Sequence, residues 1–240
     1  MTTLPPPPDN VDAARRVIRS ILSQYSGKAR CRVALAFSGG KDSIVLLHLV
    51  TRELAAMAAT SVLDCGRPTF VYFDVAPHAT FEDTLEATEL RAHISATLRD
   101  LAYTTFFDTA IVNDSTSLRQ SVATFVGAPS RFDVIFMGTR STDPSAATIR
   151  EPLAPTSSNW PRFLRAMPLL TWSNSDIWAY IDAHDLPYPA LYSRGYTSIG
   201  DTRSDRPHPA LYVKDTGTYR HARELAHAEN ERAGRPQESQ

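Results

Sequence analysis

Val33-Ala34-Leu35-Ala36-Phe37-Ser38-Gly39-Gly40-Lys41-Asp42-Ser43 is the stretch on which the fold turns. Five apolar residues lead into a glycine pair, and a second apolar run, Ile44 to Val50, follows, broken only by His48. A buried strand that turns on glycine into the start of a helix makes a seat for an anion. Glycine lets the backbone approach a ligand with no Cβ in the way. N–H groups at a helix N-terminus point at negative charge, and the helix dipole favours it. Lys41 adds a full positive charge, and Ser38 and Ser43 add hydroxyl donors. The plain alternative is a strand-to-helix turn with a serine cap and no ligand. The glycine pair, the lysine and the flanking serines coincide at one βα junction, which favours the anion seat.

Outward from this junction, strands and helices alternate. Asp12 to Tyr25 has helical spacing, Cys31 to Phe37 reads as a buried strand and Ser43 to Ala59 as a helix. Thr69 to Asp74 reads as a strand ending on an acid, and Phe81 to Leu101 as a helix with Glu82, Asp83 and Glu86 near its start. Tyr103 to Phe107 is a short β-branched and aromatic run, Leu118 to Phe125 a helix, and Asp133 to Met137 a buried strand stopped by Gly138. This order predicts an α/β fold with a doubly wound, mostly parallel sheet. Ligands bind such sheets beyond the carboxyl ends of the strands, so the residues after Phe37, Asp74 and Met137 are expected to converge. Past Met137 prolines become frequent, which predicts an irregular C-terminal extension. One helix is clear there, Ser175 to His184, with Ser173 or Asn174 as its cap, and a closing helix is expected over about Tyr219 to Arg232. The expected organisation is a disordered lead-in over 1–10, an α/β core over 11–137, and 138–240 as the C-terminal part of the same domain.

The chain has 240 residues, a formal net charge of −1 and 42% hydrophobic residues, enough for one domain with a sizeable core. The near-neutral balance argues against a general nucleic-acid binder. No apolar run approaches a membrane span, and the proline-rich start, Pro5 to Pro8, has no basic segment of the kind a signal peptide carries. Cys31 and Cys65 read as reduced thiols, and a cytoplasmic monomer is expected. The seven histidines show no metal-ligand spacing with cysteine.

Gly138-Thr139-Arg140-Ser141-Thr142-Asp143-Pro144 leaves the strand expected beside the first. Arg140 has the donor fork for a phosphate, and Asp143 is a carboxylate that could hold Mg²⁺ together with phosphate oxygens. On these residues alone an Asp-Pro turn with a surface arginine is an equal alternative. Next comes Ser158-Asn159-Trp160-Pro161-Arg162-Phe163-Leu164-Arg165, rigid, aromatic and cationic, suited to stacking on a planar ring while Arg162 and Arg165 meet phosphate. The other reading packs Trp160 and Trp172 into the core, and for Trp172 it is preferred. Asp74 is suited to adenine or ribose, or equally to capping.

The six-residue loop Ser38 to Ser43 resembles the PP-loop, SGGxDS, of the ATP pyrophosphatase superfamily, which cleaves ATP between its α- and β-phosphates. Four further blocks extend the likeness in order: Gly138 to Asp143, the segment around Asn159-Trp160-Pro161, Trp172 to Trp178, and Leu191 to Gly200. Together they resemble the eukaryotic FAD synthases, FMN adenylyltransferases of the PAPS-reductase-like branch. The resemblance spans roughly residues 31 to 235. It implies that ATP and FMN bind with Mg²⁺ as substrates and that FAD and pyrophosphate leave. It further implies that Ser38, Gly39, Gly40, Lys41 and Ser43 hold the ATP phosphates, with Asp42 and Asp143 in the active site and Asp143 the metal candidate. Glu231-Arg232-Ala233-Gly234-Arg235 is similar to the family's C-terminal Arg-Ala-Gly-Arg, which implies that Arg232 and Arg235 reach back to the phosphates. Asn159, Trp160, Arg162 and Arg165 fall in the flavin-side loop, and Thr197 and Ser198 either line the flavin pocket or shape their turn. Ser38, Ser157 and Arg162 depart from the family pattern, which often has Asn, Asp and an acid at those places.

Three other readings compete. A PAPS or adenylyl-sulfate reductase needs a nucleophilic cysteine near its end, and none follows Cys65. Other PP-loop ligases share the loop but not the later blocks. A nucleotide-binding module without activity is disfavoured by the presence of Lys41, Asp42, Asp143, Arg232 and Arg235 together.

Overall fold

A computed structural model describes residues 8–24, 32–60, 67–74, 85–113, 117–127, 132–199, 205–225 and 231–234. Helix α1 (Pro8–Gln24) turns Ala14, Ile18, Ile21 and Leu22 inward. It begins earlier than its apolar spacing suggests, because proline is tolerated in a first helical turn. Pro8, Asp9 and Asn10 therefore belong to this helix and not to a disordered lead-in; residues 1–7 lie outside the described residues, as do Cys31 and Cys65.

Strand β1 (Val33–Phe37) runs through the Ser38–Gly40 turn into α2 (Lys41–Ala59), followed by β2 (Thr69–Asp74). Of the helix expected over Phe81 to Leu101, residues 81–84, with Glu82 and Asp83, lie outside the described residues, and the remainder is α3 (Leu85–Arg99) and a single turn, α4 (Leu101–Thr104). Asp100 breaks them apart, since its carboxylate accepts the Ala102 N–H at 2.8 Å and starts the second piece. The short β-branched and aromatic run Tyr103 to Phe107 is not itself a strand. Tyr103 and Phe107 are buried in a helical turn and a loop, and the strand is β3 (Asp108–Asn113) just beyond. Helix α5 (Leu118–Val126) and β4 (Val134–Phe136) follow where expected. Two strands lie inside the proline-rich region, β5 (Leu153–Pro155) and β6 (Leu164–Ala166), ahead of α6 (Asn174–Ala183). Ser173 caps α6 in a capping box with Asp176.

The closing helix over Tyr219 to Arg232 is also corrected. Strand β7 (Tyr212–Val213) pairs with β8 (Thr218–Tyr219), and Ala222–Glu224 forms one 3₁₀ turn capped by the His221 ring. Residues 226–230 lie outside the described residues, and 231–234 form a turn.

The six-stranded sheet runs β3-β2-β1-β4-β6-β5, parallel except for β5. Val33, Leu35 and Phe37 point from β1 to one core with α1, α2 and α6. Ala34 belongs to a second core with Val122, Phe125 and Val126 of α5. Helices thus cover both faces, and the chain reverses its winding between β1 and β4, where an open parallel sheet leaves a crevice at the strands' carboxyl ends. Among the described residues no helix is long and apolar enough to cross a membrane.

Several histidines are held neutral by this packing. Burial, then His184 and Arg52, lowers His48 to about 4, and burial, then Arg223, lowers His221 to about 4; burial also lowers His93 and His184. An unfolded histidine takes up its proton near pH 6.5. Between about pH 6.5 and 4 the unfolded chain therefore binds more protons, and stability falls as the pH falls. A melting series from pH 7.5 to 4.5 should show a progressive decrease in Tm, and His48→Gln with His221→Gln should flatten it. A parent Tm that is constant over this range contradicts the assignment.

Candidate active site

The loop after β1 and the loop after β4 meet at the crevice. Gly39 takes φ +75°, a left-handed conformation, and a Cβ there would stand 2.7 Å from Ile94 Cγ1 of α3. Gly39→Ala should therefore destabilise the fold by about 1–3 kcal/mol, read from chemical unfolding; an unchanged midpoint would mean that α3 shifts freely. Gly138 lets the exit of β4 lie on the first turn of α2, where a Cβ would stand 3.0 Å from Ser43 N.

Within the turn, the Ser43 hydroxyl donates to Gly40 O at 2.8 Å. Ser43 is buried and braces the loop, whereas Ser38 is exposed. Gly40 caps α2 with no side-chain bond, so the serine-cap alternative does not describe this helix start. The Lys41 N–H donates instead to the Tyr192 hydroxyl at 2.8 Å. Burial, opposed by Lys41, pushes that phenol up to about 12, so it carries its proton throughout the neutral range.

The centre of the site is a ring of alternating charge. Lys41 is 1% exposed, and its ammonium donates to Asp42 Oδ2 at 3.0 Å, to Glu231 Oε1, and more weakly to Thr197 O at 3.4 Å. Arg140 is 2% exposed; its Nε donates to Asp42 Oδ1 at 2.7 Å and its Nη2 to Glu231 Oε2 at 2.5 Å. Two carboxylates thus bridge the same two cations from opposite sides. Burial alone would discharge Lys41, but Asp42 and Glu231 outweigh it and hold the lysine above its ordinary value. Burial likewise opposes the Asp42 carboxylate, and Lys41 with Arg140 holds it below the usual range.

A second pair adjoins the ring. The Arg140 N–H donates to Asp143 Oδ2 at 2.9 Å, and Arg232 brings Nε (3.1 Å) and Nη2 (2.8 Å) to Asp143 Oδ1. Asp42, Lys41, Arg140, Asp143 and Arg232 therefore converge, and Thr197, read from the sequence as a flavin-pocket or turn residue, lies against Lys41 and Glu231 instead. Lys41 gives its ammonium protons to Asp42, Glu231 and the Thr197 carbonyl. Glu231 and Tyr192 are the members that residue-by-residue reading missed. Glu231 reads as one more acid in a polar, Ala- and Arg-rich segment, and Tyr192 as one aromatic among several; only the adjacency of Glu231 to Arg232 offered a signal.

The flavin-side candidates lie apart. Trp160 and Phe163 rest half-buried on the α5-side core, Asn159 and Arg162 are exposed, and Arg165 donates to Pro155 O at 3.2 Å. Among the described residues no hydrogen bond joins them to the ring. Trp172 is core, as expected. Asp74 closes β2 at the strands' carboxyl ends and Ser198 is half-buried one residue after Thr197. Arg235 and Gly200 lie outside the described residues.

The doubly wound, mostly parallel sheet with this glycine loop at its winding reversal is a PP-loop-like fold. The model of the phosphoadenosine phosphosulfate reductase domain matches residues 118–207. The probable FAD synthase of Schizosaccharomyces pombe is 30% identical over 211 residues, covering 85% of this chain and 71% of that protein. The chain belongs to the FAD synthase family, in its PAPS-reductase-like branch. The probable FAD synthase of Caenorhabditis briggsae is 29% identical over 204 residues, 85% of this chain, although these span only 35% of that protein. The crystal structure of Candida glabrata FMN adenylyltransferase matches the fold with a TM-score of 0.75 at 20% identity, over 96% of this chain and 88% of the other.

Proposed function

We propose that this chain is an FMN adenylyltransferase that transfers AMP from ATP to FMN. An oxygen of the FMN phosphate attacks the α-phosphorus of ATP, the new P–O bond joins the two nucleotides as FAD, and the bond to the β-phosphate breaks to release pyrophosphate. The attacking oxygen is already anionic, so no strong general base is required, and catalysis rests on alignment and charge neutralisation. The observation that carries the reading is the buried ring of Lys41, Asp42, Arg140 and Glu231 at the N-terminus of α2, where a triphosphate is the natural occupant of the crevice. Family membership supports the choice of FMN as acceptor.

The backbone of Ser38 to Gly40 and the start of α2 would receive the phosphates. Arg232, with its side chain 37% exposed and anchored to Asp143, can turn its remaining donors to them. Among the described residues no three acids, histidines or cysteines form a metal cage. Mg²⁺ needs none, since one or two carboxylates and the substrate phosphates suffice. Asp143 is the carboxylate that would hold the ion, which would supply charge neutralisation on the triphosphate. Asp74 would face the adenosine, Arg235 the phosphates, and Asn159, Trp160, Arg162, Arg165 and Ser198 the flavin. On this reading the protein works in the cytoplasm as a monomer on small molecules, without nucleic acid or a membrane.

Purified protein given ATP, Mg²⁺ and FMN should form FAD and pyrophosphate in equal amounts. Consumption of ATP with a different acceptor, and no FAD, would overturn the proposal.

A further inference from the structure

Arg140 is clamped more tightly than a phosphate ligand needs. Its Nε is held by Asp42 and its Nη2 by Glu231, while Nη1 is buried and has no hydrogen-bond partner among the described residues. An unpaired buried donor costs about 1–3 kcal/mol, more when charged, so native folds keep few of them. The guanidinium is planar and rigid, and fixing two of its nitrogens fixes the direction of the third. The clamp itself is braced. Glu231 is 6% exposed, its backbone carbonyl accepts the Thr197 hydroxyl at 2.5 Å, and its other carboxylate oxygen holds Lys41. Three residues on, Arg206 N donates to Gly234 O at 2.7 Å, and a Cβ on Gly234 would stand 2.1 Å from Arg206 O, so this turn admits only glycine at its end.

We propose that Glu231 is a positioning residue: together with Asp42 it aims Arg140 Nη1 at an anionic oxygen of the bound nucleotide. The inference rests on the reading of the crevice as an ATP site. Glu231 touches neither substrate and moves no proton; it acts through the orientation of Arg140 and the place of Lys41. Glutamine at 231 keeps the volume and one acceptor but cannot bridge two cations with two charged oxygens.

The test uses the full chain. For Glu231→Gln, kcat/KM for ATP should fall about 10- to 100-fold, with KM for FMN within about twofold of the parent. Arg140→Lys keeps the charge but loses the fork, and should show a comparable ATP-selective loss. The double variant should be no worse than the weaker single variant, because an orientation already lost cannot be lost again. Losses that multiply, or that fall equally on ATP and FMN, would overturn the proposal. If Glu231→Gln does not fold, Glu231→Asp keeps the charge and shortens the reach; it should fold and bind Mg·ATP more weakly by calorimetry, and unchanged affinity would overturn the idea. Should the parent bind Mg·ATP yet make no FAD, the acceptor assignment fails, while the calorimetric comparison still decides the role of Glu231.

Discussion

Asp143→Ala is expected to reduce kcat for FAD formation about 10²–10³-fold, the size of effect seen when a preorganised charge at a reacting centre is removed. Asp143 ties three things together: the Arg140 backbone, the Arg232 guanidinium and, on the proposed mechanism, Mg²⁺ on the triphosphate. The fold should survive its loss. Arg232 is exposed enough to be solvated, and one half-buried N–H is left unpaired, which costs about 1–2 kcal/mol. In a domain of this size that lowers Tm by only a few degrees, about 2–4 °C per kcal/mol. The informative comparison is kcat against thermal melting. If turnover stays near the parent value while Tm drops, Asp143 is a turn residue ahead of the 3₁₀ segment Pro144–Ala146 and nothing more. Asp143→Asn, which keeps acceptor oxygen but not charge, should be almost as slow.

Lys41→Met should act on stability first. It leaves Asp42 and Glu231 facing each other around a single cation, Arg140, in a site where Lys41 and Glu231 are nearly sealed from water. Breaking one partner out of a buried ion-pair network costs about 3–5 kcal/mol, because the remaining charge is stranded. The expected decrease in Tm is about 10 °C, with Mg·ATP binding lost as well. Pairing Lys41→Met with Glu231→Gln removes one charge of each sign and should restore most of the stability without restoring turnover. A single variant that melts with the parent would show that the ring does not hold the loops together. Neutral pH leaves the ring intact. The raised Lys41 loses its contribution only as pH rises through its elevated value, above the ordinary lysine range. The lowered Asp42 loses its contribution only as pH falls through its depressed value, below the ordinary carboxylate range.

What was legible in the sequence was whatever local chemistry punctuates. Strand β1, its glycine turn and α2 are marked by a change of period and by residues with special backbone freedom, and they stand within two residues of expectation. The α6 cap was legible for the same reason, since Ser173 and Asp176 satisfy each other three positions apart. Strand β3 was not, because an edge strand with an exposed Ile111 and polar ends has no buried face to write an alternation. Strands β5 and β6 are three residues each and contain Pro155 and Arg165; only hydrogen bonding to β4 makes them a sheet. The expected last helix gave way to longer-range partners, with Tyr219 paired to Tyr212 and Arg223 lying over the Trp178 ring. In the site, residues inside a motif were found and residues brought by topology were not. Glu231 is the case in point, since its meaning depends on a lysine far upstream.

That separation has a consequence for biosynthesis. Lys41 and Glu231 are 190 positions apart, so at about 5–20 residues per second the lysine waits roughly 10–40 s for its counter-ion to be made. A nascent or clipped chain that lacks the late turn can form the α2 junction but carries Lys41 and Arg140 against Asp42 alone. A fragment that ends before Glu231 should melt lower than the 240-residue chain. The ring is thus closed by residues from opposite ends of this sequence, and it cannot form until Glu231 has been made.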